Sequence, residues 1–312
     1  MAVFMSGCSK QPASKLQQTD SSDASGRFAL REARAAHDTK LVRHESGLSV
    51  PPEIPPPSEQ LVLTKYQSAV GPLSAYVTSD PGDGLQHPAI VWLTGGDVNS
   101  IADVWTPMPP SNDQSASVYR DRGIVMMYPS LRGGNDNPGQ REGFLGEVED
   151  VISASDKLAA LSYVDPQRIY LGGHSTGGTL ALLVAESTDR FRAVFSVGPV
   201  ADPRDYGGSF VYHDVKDEQE SRLRAPLFWL DEIRVPTFVI EGSEQGNIYA
   251  LHRLDAETDN PHLRFLPVYG GTHFDILAPV NSIVAEKITA DSGPECSLNM
   301  TPNEVAKAKL GL

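Results

Sequence analysis

Apolar residues along the chain fall into short continuous runs separated by helix-period stripes. Leu61–Gln67 and Leu73–Thr78 alternate around Gly71-Pro72 and predict a hairpin of two strands. Ala89–Thr94 and Ile124–Tyr128 are short unbroken apolar runs, the pattern of strands buried on both faces. Val148, Val151, Ile152, Ser155, Leu158 and Ala159 share one stripe and predict a helix over about 145–162. Further strands are expected at Arg168–Gly172, Phe191–Val197, Thr237–Glu241 and Phe265–Tyr269. Helices are expected near 115–122, 177–186, 246–257, 276–289 and 303–310. Strands and helices in alternation mean βαβ units and a mostly parallel twisted sheet with helices on both faces. The hairpin adds antiparallel strands at one edge.

This pattern places a compact domain at 60–312. Residues 203–233, rich in aromatics and charges, read as an insertion over the carboxyl edge of the sheet. Before the domain, 27–59 reads as a short helix within 27–44 followed by a linker. Val50–Pro57 holds five prolines in eight residues and must be extended. Residues 1–26 are polar after Cys8 and read as a disordered tether. Met5-Ser6-Gly7-Cys8 resembles the end of a bacterial lipoprotein signal whose start lies upstream. It raises the expectation of a lipidated Cys8 and a cell-envelope location, with a cytoplasmic location as the alternative.

Charge narrows the function classes. Lys and Arg number 26, Asp and Glu 40, for a net charge of −14. Phosphate backbones and anionic lipid are repelled by such a chain, so nucleic acid is not an expected partner. No apolar run reaches the length of a membrane span. Two cysteines, Cys8 and Cys296, exclude a disulfide framework and a cysteine-rich zinc site. Neither a phosphate loop, a G-x-G-x-x-G fingerprint nor H-E-x-x-H is present, so no cofactor and no metal are expected.

The chemistry-bearing segment is Gly173-His174-Ser175-Thr176-Gly177-Gly178. A predicted strand enters it and an Ala/Leu-rich helix leaves it, the context of a nucleophile elbow with Ser175 as nucleophile. A serine hydroxyl needs a base, and on such a scaffold the chain order is Ser, acid, His. His37, His44 and His87 precede Ser175, and turn geometry points His174 away from it. Among the rest, His213 and His262 read as surface residues and His252 as a helix face. His273 sits in Gly270-Gly271-Thr272-His273-Phe274 after the last strand, where a base must be presented. The acid belongs in the loop after Val235–Ile240. Glu244 is the first choice, Glu241 the second, and Asp202, after the preceding strand, the third. The oxyanion hole needs two backbone N–H groups. Thr176 supplies one, and Gly96 or Asp97, in the glycine loop after Ala89–Leu93, the other.

With these residues in order, the chain resembles the α/β-hydrolase superfamily and, within it, the catalytic domain of the prolyl oligopeptidase family. The likeness spans roughly 60–290. It rests on Ile90–Gly96, Tyr128–Gly134, Gly146–Val151, Tyr163–Ile169, Gly173–Gly178, Gly198–Asp202 and Gly271–Phe274. The resemblance implies the α/β-hydrolase fold, Ser175 as nucleophile and His273 as base. Two positions depart from the pattern. Thr94 stands where the family shows the His of His-Gly-Gly. The family's acid, the Asp of His-Gly-x-x-Asp, falls on Gln245, one residue past Glu244. Full-length members carry a β-propeller. About sixty residues precede this domain, too few for one, so the site is expected to be open or covered only by 203–233. The function implied is a serine hydrolase forming an acyl-enzyme on Ser175, first a peptidase, alternatively a small-acyl carboxylesterase. An inactive binding scaffold of the same fold is the reading from another class.

Overall fold

The computed structural model describes residues 27–47 and 50–310. The tether and Cys8 lie outside the described residues. Eight strands form one sheet: β1 Leu61–Ser68, β2 Gly71–Thr78, β3 His87–Leu93, β4 Val125–Pro129, β5 Val164–His174, β6 Val194–Val197, β7 Thr237–Glu244 and β8 Leu263–Thr272. Their order is β1-β2-β4-β3-β5-β6-β7-β8. β1 and β2 pair antiparallel, as do β2 and β4, and all remaining pairs are parallel. The helices are α1 Ala29–Ala35, α2 Val118–Asp121, α3 Glu147–Ala159, α4 Thr176–Ala185, α5 Glu218–Arg222, α6 Ile248–Asp255, α7 Leu277–Ala290 and α8 Pro302–Leu310.

Alternation within β3 explains the two cores. Ala89, Val91 and Leu93 face the layer built by α3 and α4, with Val148, Val151, Leu158, Leu180 and Leu183. Ile90 and Trp92 face the opposite layer with Tyr119 of α2 and Val280, Val284 and Ile288 of α7. Both faces are covered, which is why β3 reads as one apolar run rather than an alternating one. Chain order runs from β3 outward to β4, then returns to β5 on the other side of β3. The strand order therefore reverses at β3 and β5, and the crevice beyond their carboxyl ends is where open α/β sheets bind ligands.

The helix expected within 27–44 is confined to α1. Polar groups of α1 and of the stretch beyond it bond to the 203–233 segment and to the loop before α3. Arg34 donates to the carbonyls of Phe144 and Leu223 at 3.1 and 2.6 Å. Leu41 bridges His213, Val42 N–H donates to the Tyr212 carbonyl at 2.8 Å, and Arg43 reaches the Ser209 carbonyl at 2.7 Å. Residues 27–47 thus strap the insertion to the loop before α3. The insertion itself is short 3-10 turns and α5. His213, expected at the surface, is buried under this strap with its Nε2 2.9 Å from Ser221 Oγ. None of the described helices is long and apolar enough to cross a membrane.

Candidate active site

Ser175 is the turn between β5 and α4, with φ 54° and ψ −115°. An L-residue is strained there, and the surrounding packing holds it. The turn is tight because Gly177 lies against β3: a Cβ at Gly177 would stand 2.2 Å from the Leu93 carbonyl oxygen. The Ser175 N–H donates to the Val197 carbonyl at 2.8 Å, fixing the turn to β6. Thr176 Oγ1 donates to the Gly96 carbonyl at 3.0 Å, so the elbow and the loop after β3 are tied directly. In that loop the Gly95 N–H is taken by Gln114 Oε1 at 3.0 Å. The N–H groups of Gly96 and Asp97 have no acceptor among the described residues.

His273 follows β8, and its Nδ1 lies 2.8 Å from Glu241 Oε2. Glu241 is fully buried at the carboxyl end of β7. Its Oε1 accepts the Gly242 N–H at 2.6 Å, and its Oε2 also accepts the Asn247 N–H at 3.1 Å. Three donors converge on this carboxylate, which satisfies the hydrogen-bonding capacity of a buried acceptor. With Nδ1–H donating to Glu241, the His273 Nε2 is left unprotonated, as a base requires. Gly198 (φ +65°) and Gly246 wall the pair. A Cβ on Gly198 would meet His273 Cε1 at 2.5 Å, and one on Gly246 would meet His273 Cβ at 2.7 Å.

The acid expected first is displaced. Glu244 lies at the exposed end of β7, where its side chain accepts from Ser243 Oγ at 3.2 Å. It does not touch His273. Glu241, three residues earlier and inside β7, reaches the imidazole instead. Asp202, the third choice, caps the turn Pro203–Tyr206 and is paired with Arg204 at 2.7 Å. Among the three carboxylates considered, only Glu241 meets His273.

Two residues outside the sequence reading, Tyr206 and Asn247, and His174, which it set aside, complete the site. Tyr206, from the insertion, hydrogen-bonds Thr179 Oγ1 at 2.8 Å and interacts with the Ser175 side chain. Burial raises its phenol above the ordinary value, so it is a neutral hydroxyl there. Its ring stacks on Phe144 with centroids 6.1 Å apart. Asn247 Nδ2 donates to the Gly198 carbonyl at 2.8 Å. His174 is not merely turned aside. It is buried, with its ring centroid 4.4 Å from that of His273. Burial, then the neighbouring His273, push its protonation down to about 3. No local motif marks these contacts, since each joins segments far apart in the chain. Beside the loop after β3, a cavity of about 250 Å³ is lined by Asp97, Val98, Arg141, Phe144, Phe210 and Tyr212, with Arg43 and Glu45 of the strap at its wall. No group of three or more potential metal ligands occurs among the described residues.

Comparison with known proteins finds similar sequences and the same fold. Residues 110–255 match the prolyl oligopeptidase family. An uncharacterized peptidase, YtmA of Bacillus subtilis, is 28% identical over 191 residues, covering 56% of this chain and 69% of its own. Among solved structures, a Mycobacterium tuberculosis puromycin-hydrolyzing peptidase superposes with TM-score 0.60 at 21% identity, over 74% of this chain and 39% of that one. The acylaminoacyl peptidase of Pyrococcus horikoshii gives TM-score 0.59 at 15% identity, over 78% and 43%. The chain thus spans about two fifths of the length of these solved relatives. The chain has the α/β-hydrolase fold, and its residues 110–255 are similar to the prolyl oligopeptidase family.

Proposed function

We propose that the chain cleaves amide bonds of small peptides or acyl-amines through an acyl-enzyme on Ser175. The observation that carries the proposal is the 2.8 Å Glu241–His273 pair presented beside a strained serine turn. Ser175 Oγ attacks the carbonyl carbon while His273 Nε2 takes its proton. Glu241 holds the Nδ1–H and stabilises the imidazolium that forms. The oxyanion is received by the N–H groups of Thr176 and of Gly96 or Asp97, the latter two having no acceptor among the described residues. As the tetrahedral intermediate collapses, His273 returns the proton to the leaving nitrogen. Water, deprotonated by the same imidazole, then releases the acyl group and restores Ser175.

The inactive-scaffold reading drew on a misplaced acid, and the buried Glu241 argues against it. The carboxylesterase alternative uses the same residues with an alkoxide leaving group. The peptidase reading is preferred for the family match over 110–255 and the peptidase relatives. An envelope location through lipid on Cys8 belongs to the proposal too, and detergent partitioning of wild type against Cys8→Ser tests it.

The deciding experiment is steady-state hydrolysis of aminoacyl and dipeptidyl anilides beside p-nitrophenyl acetate and butyrate, wild type against Ser175→Ala. Ser175-dependent cleavage of the anilides is expected. Cleavage of the esters alone would make the carboxylesterase the better description. No Ser175-dependent turnover of either would remove the hydrolase mechanism.

A further inference from the structure

We propose that Gln114 and His174 form a positioning clamp that locks the oxyanion loop and the base loop onto the nucleophile turn. The proposal deepens the acyl-transfer reading and rests on it. Gln114 precedes α2, outside every segment that carried the sequence resemblance. Its carboxamide is used at both ends. Oε1 accepts the Gly95 N–H at 3.0 Å, and Nε2 lies 2.9 Å from His174 Nδ1. The amide cannot be turned over, because the Gly95 N–H needs an acceptor. Nε2 can only donate, so His174 Nδ1 must be the unprotonated nitrogen. The proton of His174 is therefore on its Nε2, which donates to the His273 carbonyl at 3.0 Å. The Gln114 carbonyl in turn accepts from Trp92 Nε1 at 3.0 Å, anchoring the clamp to β3.

One side chain thus dictates the tautomer of the next, and the pair joins three loops. These follow β3 (Gly95), β5 (His174 beside Ser175) and β8 (His273). Contact is close enough that a Cβ on Gly95 would stand 2.8 Å from His174 Nδ1. The clamp has an electrostatic side. When His273 takes the Ser175 proton, its cation forms against the buried His174 ring, 4.4 Å away between centroids. A second imidazolium there would oppose that step. His174, held neutral by burial and by its two fixed hydrogen bonds, does not. Neither residue touches the reacting atoms, so both are positioning residues. A displacement of about 1 Å in such supports is enough to cost about 10²-fold in rate.

The test compares Gln114→Leu, His174→Leu, His174→Gln and Gln114→Glu with wild type, on a substrate whose cleavage depends on Ser175. Both leucine variants should lower kcat about 10–100-fold with KM changed less than about 3-fold. His174→Gln, which can still donate to the His273 carbonyl, should recover part of the loss. Gln114→Glu keeps the shape but offers an acceptor to Nδ1. His174 should then titrate within the working range, and the acid limb of kcat/KM should steepen from one proton to two. A purely structural role would not move that limb. Folded leucine variants with wild-type kcat and a one-proton limb for Gln114→Glu would overturn the clamp. If wild type shows no Ser175-dependent turnover, the acyl-transfer reading fails separately. Histidine NMR then judges the clamp. Loss of the His174 Nε2–H signal and a shifted His273 ring in Gln114→Leu would sustain it, and unchanged signals would overturn it.

Discussion

Glu241 and Glu244 are three residues apart, carry the same side chain and lie on the same strand. One is fully buried with three donors on its carboxylate, and the other is exposed. That difference is invisible in sequence. The pairing of β7 with β8 shifts register between Gly242 and Glu244. The places of Ser175 and His273 were legible because each sits in a local glycine-flanked turn. The acid, Tyr206 and Gln114 were not, because their roles exist only across the fold. A further consequence attaches to Gly198. Its φ of +65° and the 2.5 Å approach of a Cβ to His273 Cε1 leave no room for a side chain. Gly198→Ala should fold yet lower kcat/KM about 10²-fold or more, by displacing the imidazole. Activity near wild type would mean that the loop after β6 yields and that His273 does not depend on it.

At the scale of elements, the strands fix where the site is and the loops fix what it contains. The apolar runs at β3 and β4 were plain from pattern, since strands covered on both faces need continuous hydrophobicity. The insertion's short turns and the strap at 37–47 were not. They are held by side chains bonding to distant backbone, which has no period. The loop after β4 shows how such segments are secured. Arg132 donates from Nε and Nη2 to Asp150 of α3 at 2.9 Å each, and from Nη1 to Glu142 at 2.6 Å. Arg132 and Asp150 are both buried. Arg132→Met should therefore destabilise by about 3–5 kcal/mol, because it leaves Asp150 as an uncompensated buried charge. The urea midpoint measures this. Arg132→Met with Asp150→Asn should recover much of it, and an additive double variant would show that the pair is not coupled.

Across the whole molecule, the reversal of strand order at β3 and β5 brings the ends of β3, β5, β7 and β8 to one edge of the sheet. That fold was expected from alternating elements, and the site's position follows from it. The burial of imidazoles also gives stability a pH dependence. His174, with a folded-state value near 3 against an ordinary 6.5, refuses a proton that the unfolded chain accepts. Its contribution is present above pH 6.5 and is lost as the pH falls toward 3. His213, pushed down to about 4 by burial and by Arg224, has the same sign. Buried Glu147, raised by burial and by Glu142, has the opposite one. The comparison of wild type with His174→Gln isolates one group: between pH 7 and 5, wild type should lose about 2 kcal/mol more than the variant in urea unfolding. Equal losses would mean that His174 is protonated in the folded protein. The central claim is that Ser175, His273 and Glu241 act as one unit, and the most direct measurement is labelling by a fluorophosphonate. A single adduct on Ser175 is expected by mass spectrometry, none in Ser175→Ala, labelling slowed about 10²-fold or more in Glu241→Gln, and a wild-type rate in Glu244→Gln. An adduct elsewhere, or Glu241→Gln labelling as fast as wild type, would contradict it.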